Sequence, residues 1–465
     1  MATPAVEMKE VSALRKRWLR YPRYKDSGVE WLGEVPEQWD VRKLRFISRV
    51  ELSTVDKKKT ENEELVHLCN YVDVYYNNCI TENLDFMEGT ATFSEIYKFS
   101  LKKGDILITK DSEDWDDIAV PAYVSRDLKN VVCGYHLAQI RPNEQFMSGE
   151  YVFRSFQSSG IGDQFKVAAN GITRYGISKI RLLNSLFLVP PLPEQHAIAA
   201  FLDRETARID ALIEKKKRQI ELLQEKRAAL ISHAVTKGLD PNAKMKDSGV
   251  EWLGEVPEHW EVTKFGYHAK FTNGINFHGF ETGFTYGMIG VGDFKDNFSP
   301  DPEITTIELK YPLSESELLQ EEDLIFVRSN GNPKLVGRCL FIDKLNNSTT
   351  FSGFTIRSRI GNSRLYPKFF AFFFSSDNYR KQIESLAFGT NISNISQDFL
   401  SGLKIPLPPL KEQKKITRRL ISESLKIKRI IFRINKSIDE LKEYRSALIS
   451  AAVTGKIDVR QVVSV

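Results

Sequence analysis

The sequence predicts an α+β protein built twice over: two mixed α/β domains separated by two long coiled-coil helices, with an internal pseudo-two-fold repeat. Three observations lead there. Near-identical segments recur in the same order in the two halves of the 465-residue chain. Two stretches of about 42 residues contain neither glycine nor proline. Between these constant parts lie strand-like apolar runs separated by turn residues.

The repeat is the strongest of the three. Residues 25–43 read KDSGVEWLGEVPEQWDVRK and residues 246–264 read KDSGVEWLGEVPEHWEVTK, identical at 16 of 19 positions. Downstream, PPLPEQ (190–195) matches PPLKEQ (408–413), and RAALISHAVT (227–236) matches RSALISAAVT (445–454), both at an offset of 218. Residues 45–176 and 266–394 share no obvious local identity. Each half is therefore a constant scaffold around a divergent insert. Within the inserts, LVHLCNYVDV, DILITK, DLIFVRS and FTIRSRI read as strands. Residues 366–383 (YPKFFAFFFSSDNYRKQI) read as one helix whose aromatic face packs in a core.

The glycine- and proline-free stretches begin after a proline pair and end at Gly238 and Gly455, the usual boundary chemistry of a helix. Each would span close to 60 Å at 1.5 Å per residue. In the second, a 3-4 spacing runs through Ile416, Leu420, Glu423, Ile427, Ile430, Ile434, Ser437, Leu441, Tyr444 and Leu448. The same register 218 positions earlier runs from Ile198 to Leu230. An apolar seam this long needs a partner, and the simplest is the other helix of the chain. Two equivalent halves most naturally close about a pseudo-two-fold axis, which makes the pair antiparallel and puts the inserts at opposite ends of a rod. Sequence alone leaves a parallel pair open. Residues 411–445 carry 12 Lys and Arg against 5 Asp and Glu. This is either a solvated face or a contact for an acidic partner or for DNA phosphates.

Bulk composition sets limits. A net charge of +5 gives little support for nucleic-acid binding unless basic side chains cluster locally. Cys69, Cys79, Cys133 and Cys339 form no C-x-x-C pair and have no histidine at zinc-finger spacing, so they read as free thiols of a reducing compartment. The first twenty residues have no apolar core of signal-peptide type, and no segment approaches the roughly 20 apolar residues of a membrane span. The expected location is the cytoplasm.

The twice-used DSGVEWLGEVPE-x-W segment, PPL-x-EQ helix start and ALIS-x-AVT helix end resemble the specificity subunits of type I restriction–modification systems. The resemblance covers nearly the whole chain. It implies a tail (1–23), a first target-recognition domain (24–186), a central conserved helix (187–240), a second target-recognition domain (241–404) and a C-terminal conserved helix (405–465). It further implies that each recognition domain reads one half of an asymmetric, bipartite site in double-stranded DNA. The helices would set the spacing and dock two methyltransferase subunits, which restriction subunits then join. S-adenosylmethionine, ATP and Mg2+ are expected on those partners and no cofactor on this chain, with no membrane involved.

Base recognition needs Arg or Lys for guanine, Asn or Gln for adenine, and Asp or Glu for cytosine, offered from loops or helix ends. In the first insert a polar run leaves a strand at Lys110, Asp111, Ser112 and Trp115, and NGITRYG adds Asn170, Arg174 and Tyr175. In the second, FVRSNGNPKLVGR offers Arg328, Asn330, Asn332, Lys334 and Arg338. Asn273, Asn276 and His278, and the loop 389–393 (GTNIS), are secondary candidates. The repeated Trp31, Trp39, Trp252 and Trp260 belong to the constant segment and read as packing anchors.

Two rival readings exist. An adenine methyltransferase would carry an Asp/Asn-Pro-Pro-Tyr/Phe segment and an ATPase a P-loop, and neither pattern occurs. Asp301, Glu308 and Lys310 loosely match a nuclease metal site, but in one half only. A coiled-coil adaptor that reads no DNA would leave two large divergent inserts without a purpose.

Overall fold

A computed structural model describes residues 18–276, 283–294, 304–385 and 394–460. The chain divides into two units, one of residues 1–216 and 435–465, the other of residues 217–434. Two helices, Leu192–Lys237 and Leu410–Val453, run for 46 and 44 residues.

Both helices start where the sequence places them. Pro191 and Pro409 stand just before the first turn, and their carbonyls accept from the backbone N–H groups of Glu194 and Gln195, and of Glu412 and Gln413. Both end at a glycine with positive φ, +76° at Gly238 and +69° at Gly455, which a Cβ would strain. A Cβ on Gly455 would also lie 2.4 Å from Pro36, and one on Gly238 would lie 3.3 Å from the Trp260 ring. Each helix end thus sits against one copy of the repeated tryptophan segment.

Within each unit the helices run antiparallel. In the first, Arg445 Nε donates to Asp210 Oδ1 at 3.0 Å. In the second, Ile231, Ala234 and Val235 from the end of one helix share a core with Ile416 and Leu420 from the start of the other. The seam follows the expected positions and is wider than they are. On the second helix Ile416, Leu420, Glu423, Ile427, Ile434, Ser437, Leu441, Tyr444 and Leu448 are buried or half-buried, and so are Thr417, Ser424, Ile431, Ile438 and Arg445 beside them. Ile430 is the exception at 41% exposed, and the adjacent Ile431 packs in its place. On the first helix Ile198, Leu202, Glu205 and Ile209 are buried as expected, whereas Leu212 is 39% exposed and the adjacent Ile213 is buried.

The two inserts, unrelated in local sequence, share one fold. In the first unit a sheet runs in the order Ser48–Leu52, Leu137–Pro142, Ile106–Thr109, Pro121–Val124, Cys79–Ile80. In the second it runs Ala269–Asn273, Thr355–Ile360, Leu324–Val327, Cys339–Phe341. The second to fourth strands of both sheets begin 218 residues apart. A three-stranded sheet accompanies each, with order Val131–Cys133, Glu64–Cys69, Met87–Ala91 and order Thr349–Phe351, Phe284–Ile289, Thr305–Leu309.

Matched polar groups hold these sheets. The buried Asp105 carboxylate accepts from Arg141 Nε and Nη2 at 2.7 Å each, and Asp323 accepts from Arg359 at 2.8 and 2.7 Å. Both aspartates are 1% exposed, so each charge is stable only because the guanidinium and a backbone N–H satisfy it. The four cysteines are free thiols; Cys69, Cys133 and Cys339 are buried.

Two expectations need correction here. Residues 366–383 do not form one helix but two, Pro367–Phe373 and Asp377–Ser385. The Ser375 and Ser376 hydroxyls donate to the Phe372 and Phe373 carbonyls, and Ser376 Oγ then accepts from the Tyr379 N–H, which ends one helix and caps the next. The aromatic residues are core, as expected: Phe369, Phe370, Phe372, Phe373 and Phe374 are all buried. LVHLCNYVDV is a strand only to Cys69; Asn70 then caps a short helix, Tyr71–Tyr76. Of the four repeated tryptophans, Trp39 and Trp260 are fully buried anchors, Trp252 is half-buried, and Trp31 is 45% exposed.

Candidate nucleic-acid interface

PPL-x-EQ gains a physical meaning in the fold. Gln195, fully buried, accepts from the N–H of Ser148 at 2.9 Å and donates to the Phe146 and Pro190 carbonyls. Gln413 does the same with Tyr366, Arg364 and Pro408. One amide therefore joins the start of a long helix to the start of an insert helix in each half.

The candidate residues lie at equivalent places. Lys110 and Arg328 follow the central strands Ile106–Thr109 and Leu324–Val327. The Lys110 N–H donates to the His136 carbonyl and its carbonyl accepts from Ile177; Arg328 is held identically by Phe354 and Ile395. Asp111 pairs with Gly176 as Ser329 pairs with Asn394. Every one of these positions is offset by 218. The folds of the two inserts thus place the same backbone frame under different side chains.

In the first unit the frame brings Asp111, Ser112, Arg174 and Tyr175 together. Tyr175 is directly opposite Ser112. Arg174 Nη2 donates to Asp111 Oδ1 at 2.7 Å, and His136 Nδ1 lies 2.7 Å from the same oxygen. Arg174 Nη2 also lies 3.0 Å from His136 Nδ1. One nitrogen cannot both donate to the carboxylate and accept from the guanidinium, and the charged acceptor wins the Nδ1 proton. Arg174 is thereby held by one end while its side chain stays 55% exposed.

Asp111, Ser112 and Arg174 border an open concavity of about 560 Å³ that Tyr71, Tyr75, Tyr76 and Asp117, among others, also line. Tyr71 and Tyr75 stack at 5.5 Å, and their hydroxyls reach Ser112 and Asp117. Burial raises the Tyr71 hydroxyl above the ordinary tyrosine range, and the hydrogen bond to Asp117 raises that of Tyr75. Both stay protonated donors at neutral pH. Sequence reasoning missed these tyrosines; their signal was the run YVDVYY, taken in part as strand.

Lys110 points elsewhere. Its ammonium donates to the Ser53 carbonyl at 3.1 Å and lies 4.3 Å from the Tyr135 ring centre. Burial lowers it from the ordinary lysine range, against the opposing pull of Asp111. Trp115 is 50% exposed on the short turn Trp115–Asp117, and Asp116 is paired with Lys166. Asn170 exchanges two backbone hydrogen bonds with Gly176, closing the hairpin that carries Arg174.

In the second unit the loop after Val327 carries Arg328, Asn330, Asn332, Lys334 and Arg338. Asn330 Oδ1 accepts from the Asn332 N–H at 2.8 Å and Asn332 Oδ1 from the Lys334 N–H at 3.1 Å, two successive side-chain turns that shape the loop. Among the described residues the side chains of Arg328, Lys334 and Arg338 make no hydrogen bond or ion pair, so their donors are free to meet acceptors elsewhere. Asn273 and Asn276 are exposed on a segment pinned to Phe351, Ser352 and Thr355. His278, the loop 389–393 and Asp301 lie outside the described residues; Glu308 is exposed on the strand Thr305–Leu309. No helix of the described residues is long and apolar enough to cross a membrane.

Comparison with known proteins accounts for this doubled architecture. The model of the type I restriction modification DNA specificity domain matches residues 36–222 and again 257–437. A Methanocaldococcus jannaschii protein named for the specificity subunit of the MjaX type I restriction enzyme is 27% identical over 446 residues, covering 92% of this chain and 96% of that one. Two solved structures share the fold. One, from a study of the assembly and conformational transition of a type I R-M system, has a TM-score of 0.62 at 17% identity, covering 90% of this chain and 98% of the other. The HsdS subunit of Thermoanaerobacter tengcongensis has a TM-score of 0.53 at 18% identity, covering 91% and 98%. With both of its halves matched by the family's domain, the chain belongs to the type I restriction–modification DNA specificity family, as a two-domain specificity subunit.

Proposed function

We propose that each unit reads one half of an asymmetric, bipartite site in double-stranded DNA, and that the chain performs no chemistry itself. The observation that carries this is the shared frame with exchanged side chains. Asp111 and Ser112 stand where the other unit has Ser329 and Asn330. One backbone geometry with two side-chain sets suits two different half-sites.

The long helices act as the spacer between the readers and as the docking surface for two methyltransferase subunits, with restriction subunits joining those. The twice-used scaffold offers each methyltransferase copy an equivalent surface. S-adenosylmethionine, ATP and Mg2+ belong to the partners, and the complex works in the cytoplasm. The test is to assemble the chain with its methyltransferase subunits and sequence the sites that become methylated. Two unlike half-sites at constant spacing are expected. Methylation without a bipartite motif would overturn the reading.

A further inference from the structure

The second reading loop is held from behind by a helix that sequence reasoning treated only as core. Arg380, on Asp377–Ser385, donates from Nη2 to the Pro333 carbonyl at 3.0 Å and from Nη1 to the Lys334 and Val336 carbonyls at 3.3 and 2.8 Å. Its Nε donates to Glu384 at 3.0 Å. One residue earlier, the buried Tyr379 hydroxyl donates to the Gly337 carbonyl at 2.7 Å. Four of the five carbonyls from Pro333 to Gly337 therefore accept from two adjacent side chains.

Gly337 has φ +78°, and a Cβ there would lie 2.8 Å from Ile383 of the same helix. The loop is pressed onto the helix as well as bonded to it. The helix is in turn anchored to the scaffold: the Asp377 N–H donates to Ser232 Oγ at 3.1 Å, and Asn378 Nδ2 donates to the Trp252 carbonyl at 3.0 Å. Ser232 belongs to the repeated ALIS motif and Trp252 to the repeated tryptophan segment.

We infer that Arg380 is a positioning residue for DNA reading by the second unit, fixing the loop that presents Arg328, Asn330, Asn332 and Lys334. The inference rests on the DNA-reading function proposed above. Only a guanidinium suits the place: its planar fork reaches three carbonyls and a carboxylate at once, which the single ammonium of lysine cannot. Base contacts are lost with shifts of well under an ångström in the group that makes them, so a loosened loop should lose discrimination before it loses phosphate attraction.

The experiment is selection of bound duplexes from a random-sequence library by the full chain, for wild type, Arg380→Ala and Arg380→Lys, followed by sequencing. In both variants preference within one half-motif should fall about tenfold, the scale of one base contact. The other half-motif and binding to a non-specific duplex should stay put, and both variants should remain folded well above the assay temperature. An intact half-motif in either variant overturns the inference and leaves the proposed function standing. So does equal loss in both half-motifs, or a fall in melting temperature that accounts for the change. A wild-type library with no enriched sequence overturns the DNA-reading function, and this inference with it.

Discussion

The backbone N–H of Ser159 donates to Ser450 Oγ at 2.9 Å, tying the first insert to the end of the C-terminal helix. The Asp377 N–H makes the matching bond to Ser232 Oγ of the other long helix. Each insert is thus fastened to the helix that the other half of the repeat supplies. A chain folded as two independent repeats would show the opposite pairing, so the scaffold is one exchanged structure.

The buried glutamines are the strongest points of that scaffold. Gln195→Ala should strip partners from a helix N-terminus and two carbonyls, at about 2–3 kcal/mol. Gln413→Ala should cost a similar amount. Denaturant unfolding of each variant measures this, and Ser450→Ala, whose bond is exposed, should cost about 1 kcal/mol or less.

Arg174→Ala should reduce preference for one half-site by roughly 1–3 kcal/mol and leave the other intact. Asp111→Asn should weaken the same half-site, because Arg174 and His136 lose the carboxylate they share. Binding to duplexes with each half scrambled separately distinguishes the two. Equal losses at both halves would contradict the assignment.

His268 should make the protein less stable in mild acid. Its Nδ1 accepts from Asn362 Nδ2 at 2.8 Å, and its Nε2 lies 3.1 Å from Thr263 Oγ1, an arrangement that fits the neutral ring. Burial first, then Arg364, lowers its pKa below the usual value. The unfolded chain therefore takes up a proton at higher pH than the folded one. Stability should fall as pH drops below about 6.5 and level off below the folded-state pKa. Thermal midpoints from pH 7 to 5 should decline less steeply in His268→Gln.

The helices should behave as a ruler. Four residues inserted near Gln219 lengthen the first helix by about 6 Å and turn it by about 40°. At roughly 3.4 Å per base pair the preferred spacer should grow by one or two base pairs, with both half-sites unchanged. Sequencing of methylated sites checks this; an unchanged spacer in an active complex would show that the helices do not set the distance.

The constant parts of the protein were legible because they are written twice. Helix ends and the anchoring tryptophans Trp39 and Trp260 follow from repeats and boundary residues, and the antiparallel pair was the more natural of two arrangements that the sequence left open. The seam was legible except at single positions such as Ile430, where the adjacent Ile431 packs instead. The shared fold of the inserts was hidden: it resides in strand positions and in pairs such as Asp105–Arg141 and Asp323–Arg359, whose local surroundings differ. The sites were legible as loops but not as side chains. Nothing in DILITKD says that Lys110 turns back to Ser53, and nothing in SSDNYRKQI says that Arg380 grips a loop more than forty residues earlier.

The most direct test of the account is an exchange of inserts. Because the two inserts share strand order and offset, residues 45–176 should be accepted in place of 266–394. A protein carrying the first insert twice, assembled with its methyltransferase subunits, should methylate an inverted repeat of one half-site at the native spacing. Retention of the original asymmetric target would contradict the claim that each insert reads its own half.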